Sequence, residues 1–297
     1  MAKIHILGAG ALGSLMAVSL YRAGHAHQLI TRQPEQAARI AANGIQCDDG
    51  HYPVSVVAAT ALAKETVQCL LLCTKAQDSL SALRGLGGAL SPSAQIICVQ
   101  NGVGQQQAIA SCYPNASIYA ALCTEGVTKH AEGHITHAGV GETTVGQLHG
   151  PTRALPQALF HHGLVFKQET HIAPALWRKL AINGAINGLT VQYDCLNGEL
   201  INNPNVYNDV KALVAEMQQL LNAMGYNHVA DTLPDDVYRV CNATALNTSS
   251  MLQDYRAGRS SEREYVYGTL LNEAYKYNID VTLLRKLDDE LKRRASL

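Results

Sequence analysis

The chain has 297 residues, of which 47% are apolar and only 16% charged, and its 23 basic and 24 acidic side chains leave a formal net charge of −1. That balance gives no electrostatic footprint for nucleic acid or an anionic membrane; it points to a small-molecule partner and, at most, a second copy of the chain. The length exceeds what one hydrophobic core serves and predicts two domains.

The opening MAKIHILGAG places a lysine and a short apolar run directly before glycines, which reads as a first strand and not as an export signal. No apolar run is long enough to cross a bilayer. Eight cysteines include Cys69, Cys73, Cys98 and Cys123 inside strand-like segments and form no CxxC pair, so they read as reduced core residues of a cytoplasmic protein. On that footing the N-x-[ST] triplets at Asn115, Asn242 and Asn247 are chance matches that meet no glycosylation machinery.

From the N-terminus, strand candidates Lys3–Leu7, Gln28–Thr31, Val67–Cys73, Gln95–Val99 and Ser117–Thr124 alternate with helical stretches. Such alternation means βαβ units and a parallel, doubly wound α/β sheet of the Rossmann type. Between Glu125 and Gln147 the sequence turns rich in Gly, Thr and His with polar and apolar residues alternating, which predicts an antiparallel hairpin extending over the sheet edge. After Pro174 only helical periodicity is left, over Ala175–Leu189, Val206–Met224, Glu262–Tyr277 and Thr282–Arg294. The expected division is therefore an α/β domain over 1–170 and an all-helical domain over 171–297.

Gly8, Gly10 and Gly13 form G-x-G-x-x-G between the first strand and a helical run, the context in which the motif binds a dinucleotide. Gly8 serves the tight turn, Gly10 the approach of backbone N–H groups to a pyrophosphate, and Gly13 the close packing of helix on strand, with the anion on the helix's positive end. At the end of the second strand, where an NAD enzyme carries an acid for the ribose 2′-hydroxyl, stand Thr31, Arg32 and Gln33. A cation without a carboxylate favours a 2′-phosphate and hence NADP, although Arg32 also fits a solvated surface position. Lys75 in TKAQ and Asn101 in QNGVG follow strand ends and point to the cofactor cleft; a solvated helix-start lysine and a turn-forming Asn-Gly pair are the plainer readings.

In ALWRKLAINGAINGLT, Lys179, Asn183 and Asn187 are spaced i, i+4, i+8 and share one helix face. Two Asn-Gly pairs in one helix cost about 1 kcal/mol per glycine relative to alanine, which suggests close approach to another group. A lysine among neutral amides suits carbonyl reduction, in which hydride reaches carbon while an acid protonates the developing alkoxide; an exposed polar stripe is the alternative. Farther on, Ser249, Ser250, Asp254 and Glu262 each admit a bland role. Thr248 to Ser250 can cap a helix starting at Met251, and Ser261 with Glu264 fits a capping box that puts Glu262 in a first turn. His130, His134 and His137 have metal-like spacing only on a helix, and the strand pattern there keeps them from converging.

Taken in order, GAGALG, TKAQ, QNGVG, WRKLAINGAINGLT and TSSMLQDYRAGRSSE resemble the ketopantoate reductase (2-dehydropantoate 2-reductase) family over nearly the whole chain. The resemblance implies NADPH-dependent reduction of ketopantoate to pantoate on the route to pantothenate and coenzyme A. It implies that Lys179 is the general acid and that Glu262 pairs with it and with the substrate hydroxyl. Asn183 and Asn187 would orient substrate and lysine, Ser250 would bind the substrate carboxylate, and Asn101 would touch substrate and nicotinamide. Gly8, Ala9, Gly10, Ala11, Leu12 and Gly13 would cradle NADP, with Arg32 and Lys75 as further contacts. Where the family often has Pro, this chain has Gly188, and Gly184 replaces a small apolar residue or Cys, which predicts a looser helix. An NADPH-dependent reductase of another 2-oxo acid would share most of these motifs. A β-hydroxyacid dehydrogenase would share the Lys-x-x-x-Asn pair, but the SSMLQD segment argues against it; an NADPH-sensing regulator would leave Lys179, Asn183 and Asn187 without a catalytic task.

Overall fold

The glycine-flanked apolar run at the start of the chain opens a βαβ succession, and both faces of the resulting sheet are covered. The computed structural model describes residues 3–48, 50–62 and 67–295. Its first part runs β1 (Ile4–Leu7), α1 (Ala11–Arg22), β2 (His27–Thr31), α2 (Pro34–Asn43), β3 (Ile45–Cys47), β4 (Gly50–Tyr52), β5 (Val56–Ala58) and β6 (Val67–Leu72). It continues through α3 (Ser79–Gly85), β7 (Leu90–Cys98), α4 (Gln105–Cys112), β8 (Ser117–Cys123), β9 (Gly126–Ala131), β10 (His134–Gly139), β11 (Glu142–His149) and β12 (Val165–Gln168).

The main sheet has the order β12-β11-β8-β7-β6-β1-β2-β5. All neighbours are parallel except β11 against β8. Apart from buried His5 in β1 and exposed Gln68 in β6, strands β1 and β6 at its centre are apolar because successive side chains enter different cores. Ile4, Ile6, Cys69 and Leu71 join Leu15, Met16 and Leu20 of α1 on one face. Leu7, Leu70 and Leu72 meet Leu83 of α3 and Ile109 of α4 on the other. The order reverses direction at β1, which sits between β2 and β6, and this is the switch point where such sheets bind ligands.

The glycine- and histidine-rich stretch departs from expectation in one respect. β9 and β10 do form an antiparallel hairpin, but they do not extend the main sheet. β10 pairs with β3, and β3 with β4, in a separate sheet of order β4-β3-β10-β9. The apolar alternate residues decide this: Ile135 is buried together with Ile45 and Cys47 in the α1-side core. The antiparallel strand of the main sheet is β11, followed by β12 at its edge.

The helical part contains α5 (Ala173–Tyr193), α6 (Glu199–Asn202), α7 (Pro204–Ala223), α8 (Asn227–Ala243), α9 (Ser250–Arg256), a π-helical turn over Glu264–Gly268, α10 (Thr269–Lys276) and α11 (Thr282–Ala295). Compact units are Met1–Asn101 with Gln105–Ile172, and Ala173–Leu297 with Gly102–Gly104. The second unit has one core, in which Leu180, Ala181, Ala185 and Leu189 of α5 pack with Leu213, Val214 and Met217 of α7, Leu233 and Val237 of α8, and Leu284 and Leu287 of α11.

An ion pair ties α5 to α8. Arg178, next to Lys179, donates from Nε and Nη2 to the Asp236 carboxylate, both at 2.5 Å, and Arg239 adds a contact at 3.1 Å. The Asp236 side chain is 1% exposed. Hydrogen bonding from Arg178 holds its carboxyl below the usual carboxylate range. A depressed folded pKa stabilises the fold above the unfolded value, about 3.9, and that contribution disappears as pH falls through the folded pKa. Asp236→Asn is expected to lower unfolding free energy by about 1.5–3 kcal/mol at neutral pH. Urea titrations of both proteins should show the gap closing on acidification below about pH 4.

Candidate active site

In the first unit the three motif glycines stand in different surroundings. Gly8 has φ +111°, and an added Cβ would lie 3.1 Å from the Cys73 carbonyl and from the Thr74 nitrogen. At Gly13 a Cβ would overlap the Gly8 carbonyl and come within 3.2 Å of Cys73 Cβ, so this glycine lets α1 pack on the loop and on the end of β6. Gly10 is different. Its φ is −83°, and the nearest atom to an added Cβ is 4.0 Å away. Nothing in the protein forbids a side chain there, and the open space lies at the N-terminus of α1, where no side chain caps the helix. A bound pyrophosphate fits that cradle, since it needs the N–H groups and the helix dipole that a Cβ would screen. Ala9 is buried beneath the loop, while Ala11 and Leu12 form the half-buried first turn.

Thr31 ends β2 as a buried residue whose Oγ1 donates to the Gln33 carbonyl at 2.9 Å, and this turn leaves Arg32 exposed. Lys75 is half-buried, and its carbonyl accepts from Asp78 N at 3.0 Å in the turn leading to α3. Asn101 is half-buried beyond β7, its carbonyl accepting from Gln105 Nε2 at 3.2 Å. Two neighbours escape sequence reasoning. Buried Gln100 donates from Nε2 to the Thr74 carbonyl at 2.7 Å and to Ser79 Oγ at 2.8 Å, linking the two loops that carry Lys75 and Asn101. Lys129 of β9 reaches the Ala9 carbonyl at 3.4 Å from a strand with no sequence cue to the glycine loop.

Burial pushes the thiols of Cys69 and Cys98 up to about 12 and that of Cys73 still further, so the cysteines at this floor stay protonated. Contrary to the expectation that the three imidazoles stay apart, the ring centroids of His130 and His134 lie 4.8 Å apart; His130 Nε2 is 2.9 Å from Thr136 Oγ1, while His137 turns to Glu125, with Nε2 2.7 Å from Oε2.

In the second unit Lys179, Asn183 and Asn187 are all half-buried along α5. Gly184 and Gly188 each follow one of the two asparagines, and the helix is tight at both places, contrary to the looser helix expected. An added Cβ at Gly184 would lie 2.8 Å from Leu270 Cδ1 and from Met217 Cε. At Gly188 it would run into the Tyr267 hydroxyl and lie 2.8 Å from Tyr267 Cζ. The glycines thus admit core side chains. Ser250 is exposed at the start of α9, whose cap is Ser249 accepting from Leu252 N at 3.1 Å. The Ser249 and Thr190 hydroxyls are 2.6 Å apart, and Thr190 Oγ1 donates to the Asn187 carbonyl at 2.8 Å, which ties α9 to the asparagine stripe.

No regular capping box opens the next segment, because the chain enters a π-helical turn at Glu264 with no side-chain cap. Half-buried Glu262 precedes that turn, its carbonyl accepting from Tyr265 N at 3.0 Å and Val266 N at 3.2 Å. Arg263 anchors the turn through the buried Asp288 of α11. Asp254 is half-buried in α9, and its carboxylate accepts from Arg259 Nε at 2.9 Å.

Comparison with known proteins covers both units. The family described as ketopantoate reductase PanE/ApbA matches residues 4–150, and its C-terminal counterpart matches 171–295. The 2-dehydropantoate 2-reductase of Escherichia coli O157:H7 is 32% identical over 302 residues, spanning 99% of this chain and 95% of that protein. A PanE/ApbA family ketopantoate reductase from Ralstonia eutropha JMP134 superposes with a TM-score of 0.87 at 25% identity over 99% of each chain. The fold is shared as well by a D-mandelate dehydrogenase solved with NADH and anilino(oxo)acetate, at 21% identity, a TM-score of 0.85 and 99% coverage of each chain. By its match over both units, the chain belongs to the ketopantoate reductase PanE/ApbA family.

Proposed function

We propose that the chain is a cytoplasmic reductase that converts 2-dehydropantoate to pantoate with NADPH, on the route to pantothenate and coenzyme A. The observation that carries this reading is the half-buried stripe of Lys179, Asn183 and Asn187 in a chain whose two units both match the ketopantoate reductase family. When bound, NADPH supplies hydride to the carbonyl carbon of the keto acid. Gly8, Ala9, Gly10, Ala11, Leu12 and Gly13 hold its pyrophosphate, Lys75 contacts it beyond β6, and Arg32 meets the 2′-phosphate where no carboxylate stands to repel it.

Lys179 holds the proton at Nζ and delivers it to the ketone oxygen as negative charge develops there. Glu262 accepts from Lys179 and from the substrate hydroxyl, keeping the ammonium aimed. The amides of Asn183 and Asn187 orient substrate and lysine, the Ser250 hydroxyl donates to the substrate carboxylate, and Asn101 contacts substrate and nicotinamide together.

The test follows loss of the reduced-nicotinamide absorbance with ketopantoate, beside ketoisovalerate and oxaloacetate, using NADPH and then NADH. Preference for NADPH and ketopantoate is expected; tight NADPH binding without ketopantoate turnover would remove the substrate assignment. In the same assay Arg32→Glu is expected to raise KM for NADPH about 10- to 100-fold, the equivalent of losing a charge-assisted contact, and to leave the NADH reaction nearly unchanged. An unchanged NADPH preference would place the 2′-phosphate elsewhere.

A further inference from the structure

The Tyr267 side chain is fully buried, yet it does not simply fill the core. Its hydroxyl donates to the Gly184 carbonyl at 2.7 Å and accepts from the Gly188 N–H at 2.7 Å. In a regular α-helix those two groups are each other's partners, so the phenol takes a place in the hydrogen-bond ladder of α5 at this one turn. That turn runs from Gly184 to Gly188, with Asn183 directly before it and Asn187 within it. Glycine at 188 is what admits the hydroxyl, since a Cβ there would meet it.

Tyr267 itself lies in the π-helical turn Glu264–Gly268, which begins two residues after Glu262. A π turn inserts an extra residue into the helical repeat and rotates the side chains beyond it, and such turns gather at functional sites. The same turn receives Val103 N on the Tyr265 carbonyl at 3.4 Å, and Thr269 Oγ1 donates to the Val103 carbonyl at 2.7 Å. Burial raises the Tyr267 phenol well above its ordinary range, so the hydroxyl keeps its proton and remains both donor and acceptor at working pH.

We infer that Tyr267 is a positioning residue: its hydroxyl sets the α5 turn that carries Asn183 and Asn187 and couples that turn to the segment carrying Glu262. The inference rests on the reductase reading for its kinetic consequence, but the coupling is a property of the second unit and has its own readout.

The decisive variant is Tyr267→Phe. The ring stays in the core, and the Gly184 carbonyl and Gly188 amide can bond to one another, so no buried backbone group need go unpaired. Turnover of ketopantoate is expected to fall about 100-fold per NADPH-binding site, the scale of a misplacement of catalytic groups by about 1 Å, while NADPH affinity by fluorescence titration stays at the parent value. Counting sites separates positioning from folding, because a merely structural role would reduce the number of sites and leave turnover per site intact. Gly188→Ala, which drives the hydroxyl out from the opposite side, is expected to give the same loss and replaces the first variant if that one does not fold.

Amide NMR spectra of parent and variant supply the readout that needs no substrate. The side-chain amide signals of Asn183 and Asn187 and the backbone signal of Glu262 should all move. Movement confined to residues 184 and 188, or parent turnover per site in a folded variant, would overturn the inference. If the parent itself ignores ketopantoate, the substrate reading falls and the NMR comparison still decides the role of Tyr267.

Discussion

Lys179→Ala is expected to lower kcat for ketopantoate by about 10²- to 10⁴-fold while NADPH still binds. The reasoning starts from the helix: Lys179 is half-buried on α5, one residue from Arg178, which is clamped to buried Asp236. That clamp fixes the helix turn from which the lysine side chain leaves and is untouched by the substitution. On the proposed mechanism what disappears is the proton held at Nζ, so the developing alkoxide would have to take its proton from water. Steady-state rates with NADPH binding measured in parallel distinguish this from a folding defect. A variant that keeps parent kcat would assign the acid elsewhere, and a parent protein that binds NADPH without turning over ketopantoate or another 2-oxo acid would return the chain to a sensing role.

The second large effect separates two glycines of one motif. Gly13→Ala puts a methyl group onto the Gly8 carbonyl and beside Cys73, so it should prise α1 from the loop and destabilise the first unit by several kcal/mol, within the range of overpacked or strained core positions. Gly10→Ala has φ −83° and meets nothing nearer than the Cys73 carbonyl oxygen at 4.0 Å, so its melting temperature should stay close to that of the parent. Its NADPH affinity should nonetheless fall by about 100-fold or more, because the methyl occupies the space in which the pyrophosphate meets the N–H groups of α1. Thermal denaturation and fluorescence titration on both variants check the contrast. A Gly10→Ala protein with parent affinity would mean that the dinucleotide is held away from this helix end.

Much of this architecture could be read in the chain because its signals are local. The mostly apolar strands, the glycine motif between strand and helix, and the i, i+4, i+8 stripe of Lys179, Asn183 and Asn187 all encode their geometry within a few residues. The structure has the same alternating order and the same shared helix face. Other features depend on distant partners. Strands β3, β4, β5 and β12 have three or four residues each, too short for periodicity to declare them. Helix α8 escapes because Pro234 stands inside it, and proline ordinarily ends a helical pattern. The π turn interrupts what reads as one helix over Glu262–Tyr277, since a single extra residue leaves the apolar rhythm nearly intact while rotating everything after it. Gly184 and Gly188 read as weaknesses in α5 because the side chains packed against them come from distant positions, Leu270 and Met217 at Gly184 and Tyr267, 79 positions away, at Gly188.

Gly102–Gly104 belong to the helical unit although Asn101 before them and Gln105 after them belong to the sheet unit. The polypeptide therefore passes from one unit to the other three times, and no single cut yields two self-contained pieces. During synthesis this tripeptide leaves the ribosome long before Thr269, whose hydroxyl holds the Val103 carbonyl from 166 residues farther on. The sheet unit can form its strands as it emerges, but the segment directly after Asn101 must wait for the last helices before it reaches its final conformation. The nascent chain would thus acquire its cofactor fold and its complete Asn101 loop at different times, with the second event postponed until the segment carrying Thr269 has been made.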